Sequence, residues 1–97
     1  MQNSNSISLN AVRVFLVTSR HLSSKKAAED LSVTPGAVSH QIKALERALN
    51  AQLFERSNNA IYLTDAGKRL AAKSMPGLQI FHRAIEELTD GSDKLRI

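Results

Sequence analysis

Residues 34–50 read TPGAVSHQIKALERALN, and the fold turns on them. Thr34 offers a side-chain acceptor at the N-cap position. Pro35 falls at the first helical position, where its missing N–H costs nothing. Val38, Ile42, Leu45 and Leu49 follow at spacings of four, three and four. At about 100° per residue they form one narrow apolar stripe. Gly36, His40, Lys43 and Arg47 fall on the opposite side, with Ser39 beside them. Asn50 tolerates the left-handed conformation that ends a helix. The segment therefore reads as a helix with one face for its own molecule and a reverse face that stays small, polar and cationic.

Upstream, Leu9 to Arg20 predicts a first helix with Val12, Phe15, Leu16 and Ser19 facing inward, followed by an inward-packing Leu22. Ser23 or Ser24 caps a short helix from Lys25 to Leu31. Its Ala27 and Ala28 are small enough for another helix to cross closely, and Ser32-Val33 make the turn into residues 34–50. Downstream, Leu53 and Phe54 lead into a hairpin whose tip is Ser57-Asn58-Asn59, and Ile61 to Leu63 return. Thr64 caps a fourth helix with Asp65 in its first turn and Leu70, Ala71 and Met75 on its apolar face. A kink or short break is expected at Ser74–Pro76, and a stop at Gly91. Between them Leu78, Phe81, Ile85 and Leu88 form a second apolar stripe. Residues 1–7 are polar and read as a frayed end.

The 97 residues suffice for one compact domain. Cysteine is absent, which removes disulfides, thiol nucleophiles and Cys-based zinc sites. The histidines His21, His40 and His82 show no metal-ligand spacing. No metal or cofactor is expected. The first ten residues lack the basic start and apolar run of a signal peptide, and no stretch is long enough to span a bilayer, so a cytoplasmic protein is expected. Residues 1–73 carry a balance of +5 and residues 74–97 a balance of −1. A basic first part suits a polyanion. The few aromatics, Phe15, Phe54, Tyr62 and Phe81, sit among apolar neighbours, which disfavours a base-stacking reader of single strands.

This order of elements is mainly α: a winged helix-turn-helix followed by a long amphipathic helix. The exposed face of the third helix must enter a major groove about 12 Å wide, which explains its small and polar residues. Ser39 and His40 suit base edges, and Lys43 suits a guanine or a phosphate. Thr34 and the amides that open the helix suit a phosphate. Ser23, Ser24, Lys25 and Lys26 sit where the second helix crosses the backbone, and Arg56 beside the hairpin tip suits a narrow minor groove. The stripe Leu78, Phe81, Ile85 and Leu88 suits the same helix of a second chain, and a dimer reads two half-sites. Two other readings are weighed. A winged-helix module for protein partners would expose an apolar or acidic third helix. An enzyme would need a carboxylate pair, a phosphate loop or an activated nucleophile, none of which is recognisable.

The run AAEDLSVTPGAVSHQIKALERALNAQLFERSNNAIYLTDAGKRL, residues 27–70, resembles the N-terminal domain of LysR-type transcriptional regulators. The chained features AAExL, VTPxAVSxQIxxLE, LFER and LTxAG carry the resemblance, which covers about residues 8–97, and the VTPxAVSHQI form is most similar to the glycine-cleavage activator branch. The resemblance implies a bacterial activator or repressor that binds interrupted inverted repeats in promoter DNA. It implies a winged domain over 1–63, a dimerising linker helix over 64–93, and over 94–97 the start of an absent domain that binds a small-molecule effector. Higher oligomers belong to the full-length regulator. Matched by position, Pro35, Gly36, Ser39, His40 and Lys43 are base-reading candidates, Arg56 is the wing arginine, and Thr34 and Ser23 are phosphate contacts. Many members carry Arg where His40 stands, Gly and an aromatic where Leu22 and Ser24 stand, Gly where Asn50 stands, and more basic wings than Ser57-Asn58-Asn59.

Overall fold

The computed structural model describes residues 7–95, with side chains through Thr89. The chain runs α1 (Leu9–His21), α2 (Ser24–Leu31), α3 (Pro35–Leu49), β1 (Phe54–Ser57), β2 (Ala60–Leu63) and α4 (Asp65–Leu95). It is mainly helical, as the sequence predicts. The frayed end expected over 1–7 lies outside the described residues except for Ile7, which packs on the core.

Each helix begins at a hydroxyl. Ser8 accepts from the Ala11 amide at 3.1 Å, Ser23 from Lys26 at 3.1 Å, Thr34 from Ala37 at 3.0 Å and Thr64 from Gly67 at 3.0 Å. Of the two candidates Ser23 and Ser24, Ser23 is thus the cap. The first three helices end in left-handed residues, Leu22, Ser32 and Asn50. At Ser32 the Val33 amide reaches back to the Ala28 carbonyl at 3.0 Å, and at Asn50 the Ala51 amide reaches the Glu46 carbonyl at 3.0 Å. These bonds turn the chain sharply and satisfy carbonyls that a helix end leaves open.

Helix α1 is the central post. Val14 and Val17 join Ala27, Ala28, Val38 and Ile42 in one cluster under α2 and α3. Ala11, Phe15 and Leu16 join Leu45 and Leu53 in a second, which receives Leu63, Leu70, Ala71, Met75 and Leu78 from the hairpin and α4. Phe54 touches both, and its ring lies 5.4 Å from that of Phe15 at a tilt of 56°. Because α1 is covered from two sides, its buried face is broader than the predicted Val12–Phe15–Leu16–Ser19 stripe. Val12 and Ser19 are only half-buried, whereas Val14, Val17 and Thr18 are buried.

The structure corrects other expectations. Leu22 does not pack inward but is 42% exposed, because a left-handed residue ends α1 there and turns its side chain out. Leu49 lies in the last turn of α3, beyond the body it packs on, and is exposed. Ser57 pairs with Ala60 in the ladder, so the hairpin tip is Asn58-Asn59 alone, both at positive φ, as a two-residue turn with the right strand twist requires. No break occurs at Pro76. Helix α4 is continuous through it, and both Pro76 and Ala72, whose carbonyl loses its partner, are exposed to solvent. Gly91 does not stop the helix, which continues to Leu95. Arg96 and Ile97 lie outside the described residues.

Two glycines of α4 differ in what they permit. A Cβ on Gly67 would fall on the Leu53 carbonyl oxygen and lie 2.9 Å from the Leu63 side chain. A Cβ on Gly77 would meet nothing within 4 Å. Gly67→Ala should therefore cost about 3 kcal/mol through overpacking against backbone. Gly77→Ala should stabilise by up to about 1 kcal/mol through helix propensity. Urea denaturation of both variants checks the opposite signs.

Candidate nucleic-acid interface

Helix α3 turns its predicted sides as the spacing requires. Val38, Ile42 and Leu45 are buried, while Gly36, His40, Lys43 and Arg47 are exposed and Ser39 is half-buried at the border. Gly36 has ordinary backbone angles, and a Cβ there would approach nothing closer than the Thr34 hydroxyl at 3.9 Å. The fold itself therefore has no use for the missing side chain, and a glycine in a helix is costly. What the glycine provides is a helix surface that another molecule can approach closely.

The hairpin stands beside this surface. Phe54 pairs with Leu63 and Arg56 with Ile61, while Glu55 pairs with Tyr62. Directly opposed residues share a face and neighbours alternate. Arg56 therefore shares the face on which Phe54 enters the core. A depression between α3 and the hairpin is lined by Ser24, Ser39, Ile42, Lys43, Gln52 and Arg56, and also by Glu46 and Glu55. The structure thus joins Ser39, Lys43 and Arg56. Thr34, Pro35, Gly36 and His40 occupy the exposed start and outer side of α3, and Lys25 and Lys26 stand exposed behind the Ser23 cap.

The cations on this side are uncommitted. Ion pairs among the described residues join Asp30 to Arg20 at 3.5 Å and to His21 at 3.0 Å. Lys25, Lys26, Lys43 and Arg56 belong to neither, and Arg56 is not paired with its chain neighbour Glu55. Among the described residues no group of acids and histidines is arranged to hold a metal, and no helix is long and apolar enough to cross a membrane.

Glu46, on the flank of α3 next to the hairpin, takes no part in these ion pairs. Its carboxylate instead accepts from the Leu53 amide at 2.8 Å and the Phe54 amide at 3.3 Å. Thr64 completes the junction: its amide donates to the Leu53 carbonyl at 3.0 Å and its hydroxyl to the Gln52 carbonyl at 2.6 Å. One signal for Glu46 was available in the sequence. An acid in the last turns of a helix opposes the helix dipole and is better placed when amides engage it.

Three helices, a crossing pair with a sharp turn, and a hairpin beside the exposed helix define a winged helix-turn-helix of the DNA-binding kind. The family model for bacterial regulatory helix-turn-helix proteins of the lysR family matches residues 9–68, and the chain belongs to that family. It is the DNA-binding domain of a LysR-type transcriptional regulator, a family of regulators rather than enzymes. The chain is 55% identical over 60 residues to the glycine cleavage system transcriptional activator of Escherichia coli (strain K12), covering 62% of this chain and 20% of that protein. It is 42% identical over 80 residues to the homologue of that activator in Haemophilus influenzae, covering 82% of this chain and 27% of the other. Among solved structures, a probable transcriptional regulator from Pseudomonas aeruginosa superposes with a TM-score of 0.82 at 29% identity, over 90% of this chain and 29% of that one. The BenM DNA-binding domain in complex with catB site 1 DNA superposes with a TM-score of 0.74 at 25% identity, over 88% of this chain and 95% of that one. The chain thus spans about a fifth of the length of the Escherichia coli activator.

Asp30 ties the end of α1 to α2, and its pairing sets a pH dependence. The hydrogen bond from His21 holds its carboxyl below the usual aspartate value of 3.8, partial desolvation opposes this, and the charges of His21 and Arg20 add to it. A carboxyl lowered on folding contributes stability above its unfolded value, and that contribution is lost as pH falls through the folded value. Asp30→Asn should lower the melting temperature slightly at pH 6, and the difference from the parent should shrink as pH falls through the lowered carboxyl value. Thermal melts across that range measure it.

Proposed function

We propose that the chain reads double-stranded promoter DNA as a homodimer, with α3 in the major groove and the hairpin in the adjoining minor groove. The observation that carries the groove assignment is the exposed glycine of α3. Gly36 lies beside His40 and Lys43 on a face with no internal packing role, and Arg56 flanks it on the same side. Ser39, His40 and Lys43 read base edges, with Pro35 and Gly36 allowing close approach. Ser23, Thr34, Lys25 and Lys26 hold phosphates. Arg56 enters the minor groove, where narrow A·T tracts attract cations. BenM, a structural relative, is solved with DNA, which supports the same partner here.

The dimer rests on α4. Phe81, Ile85 and Leu88 are 52%, 55% and 66% exposed along one stripe, and Ile80, absent from the predicted set, is 63% exposed beside them. Leu78 is shared: it packs on the core and also lines the groove that Leu9, Val12 and Leu16 of α1 form with Phe81 and Ile85. An apolar strip of this kind marks an association surface, and a second α4 presents the matching strip by symmetry. The boundaries proposed with this reading are a winged domain over 1–63, a linker over 64–93 and from 94 the lead into a small-molecule effector domain in the full regulator, with residues 94 and 95 still within the helix α4.

Duplexes selected from a random pool by the 97-residue chain provide the test. Lys43→Ala or His40→Ala should cost about 1–3 kcal/mol at single base positions and relax preference there. Lys26→Ala should weaken all sequences alike and lower the salt slope by about one. Gly36→Ala should leave folding intact and weaken the selected duplex. Uniform losses in all four variants, or no duplex bound at low salt, overturn the assignment.

Sedimentation tests the dimer separately. Phe81→Glu or Ile85→Glu should give a folded monomer whose affinity for a two-half-site duplex falls at least about 100-fold, since two half-sites no longer bind as one unit. A protein that remains dimeric in both variants excludes this seam.

A further inference from the structure

The geometry points to Glu46 as the positioning residue that fixes the wing against the reading helix, by reach rather than by charge. This rests on the DNA-binding reading above. Glu46 is half-buried on the flank of α3 that faces the hairpin, one turn beyond Lys43. A single carboxylate oxygen accepts from two consecutive amides, Leu53 at 2.8 Å and Phe54 at 3.3 Å. Those amides open β1, and Arg56 follows two residues after Phe54. The register and facing of Arg56 are set from the point where β1 starts. Glu46 therefore links the helix that carries Lys43 to the strand that carries Arg56, across the depression both residues line.

A negative charge on this wall is otherwise unfavourable. It opposes the α3 dipole and faces a polyanion. Its presence is explained if the oxygen is needed as an acceptor of the right length. One neutral amide oxygen has two lone pairs and accepts the same two N–H groups. A carboxylate one methylene shorter keeps the charge and loses the reach.

Glu46→Gln, Glu46→Asp and Glu46→Ala separate the two possibilities in the free and the DNA-bound protein. In the free protein, amide hydrogen exchange at Leu53 and Phe54 should quicken at least about tenfold in Glu46→Asp and Glu46→Ala, as loss of a hydrogen bond of about 1.4 kcal/mol gives. It should stay near the parent rate in Glu46→Gln. The Ala51 amide, which donates to the Glu46 carbonyl, serves as the internal control. In the bound protein, Arg56→Ala should weaken a selected A·T-flanked duplex about tenfold in the parent and in Glu46→Gln. In Glu46→Asp the same Arg56→Ala change should cost under about threefold, because the wing is already out of place. Unchanged exchange at Leu53 and Phe54 in Glu46→Asp overturns the proposal. So does an undiminished Arg56→Ala effect there, or a Glu46→Gln that behaves as Glu46→Ala. If no variant or parent binds duplex DNA, the functional reading fails, while the exchange result still decides whether the clamp exists.

Discussion

Leu53 is constrained at every group it has. Its side chain is 1% exposed in the core beside Phe15, Leu16 and Leu45. Its amide is bound by Glu46 of α3 and its carbonyl by the Thr64 amide. Gly67, bare of a side chain, lets the first turn of α4 lie on that same carbonyl. One residue therefore fixes how α3 is joined to the rest of the chain, where the hairpin begins and where the long helix departs. A buried backbone group without a partner costs about 1–3 kcal/mol, so loosening either partner transmits to both neighbouring elements.

The charge layout follows the same economy of partners. Asp30 engages Arg20 and His21 at the back of α1, and Glu46 is engaged by amides. Two carboxylates are thereby kept from Lys25, Lys26, Lys43 and Arg56. Under the proposed assignment, a polyanion meets these cations without first displacing internal partners, which favours fast, salt-sensitive encounter. Exposed ion pairs add little stability in any case, so leaving four cations unpaired costs the fold little.

What the sequence declared and what it withheld divide along a physical line. Helix α3 was readable because Thr34, Pro35, the Val38–Ile42–Leu45 stripe and Asn50 are local signals that tertiary packing did not override. The hairpin tip was readable because two asparagines tolerate positive φ. The broader burial of α1 was not, since a central helix covered from two sides has no single stripe for periodicity to find. Leu22 misled because apolar residues usually point inward, yet here a leucine occupies a left-handed cap. Pro76 and Gly91 misled for a related reason: local breakers are a tendency, and both sit within a helix that continues on either side of them. Glu46 and Gly67 act across elements separated along the chain, and no local pattern states what an acid or a glycine will meet.

Among the described residues, two exposed glycines that the fold does not need are informative together. Gly36 on α3 and Gly77 on α4 both face open space, whereas Gly67 is packed against backbone. Glycine inside a helix costs about 1 kcal/mol relative to alanine, so a small domain carrying two such residues forgoes stability at those points. Gly36 lies on the face that presents His40 and Lys43, and Gly77 lies in the groove that Phe81 and Ile85 line. In the proposed complex, each is a place where a second molecule comes close to the helix backbone. Gly67 gives up helix propensity for a close junction that the fold itself uses, whereas at Gly36 and Gly77 no internal contact answers the same cost.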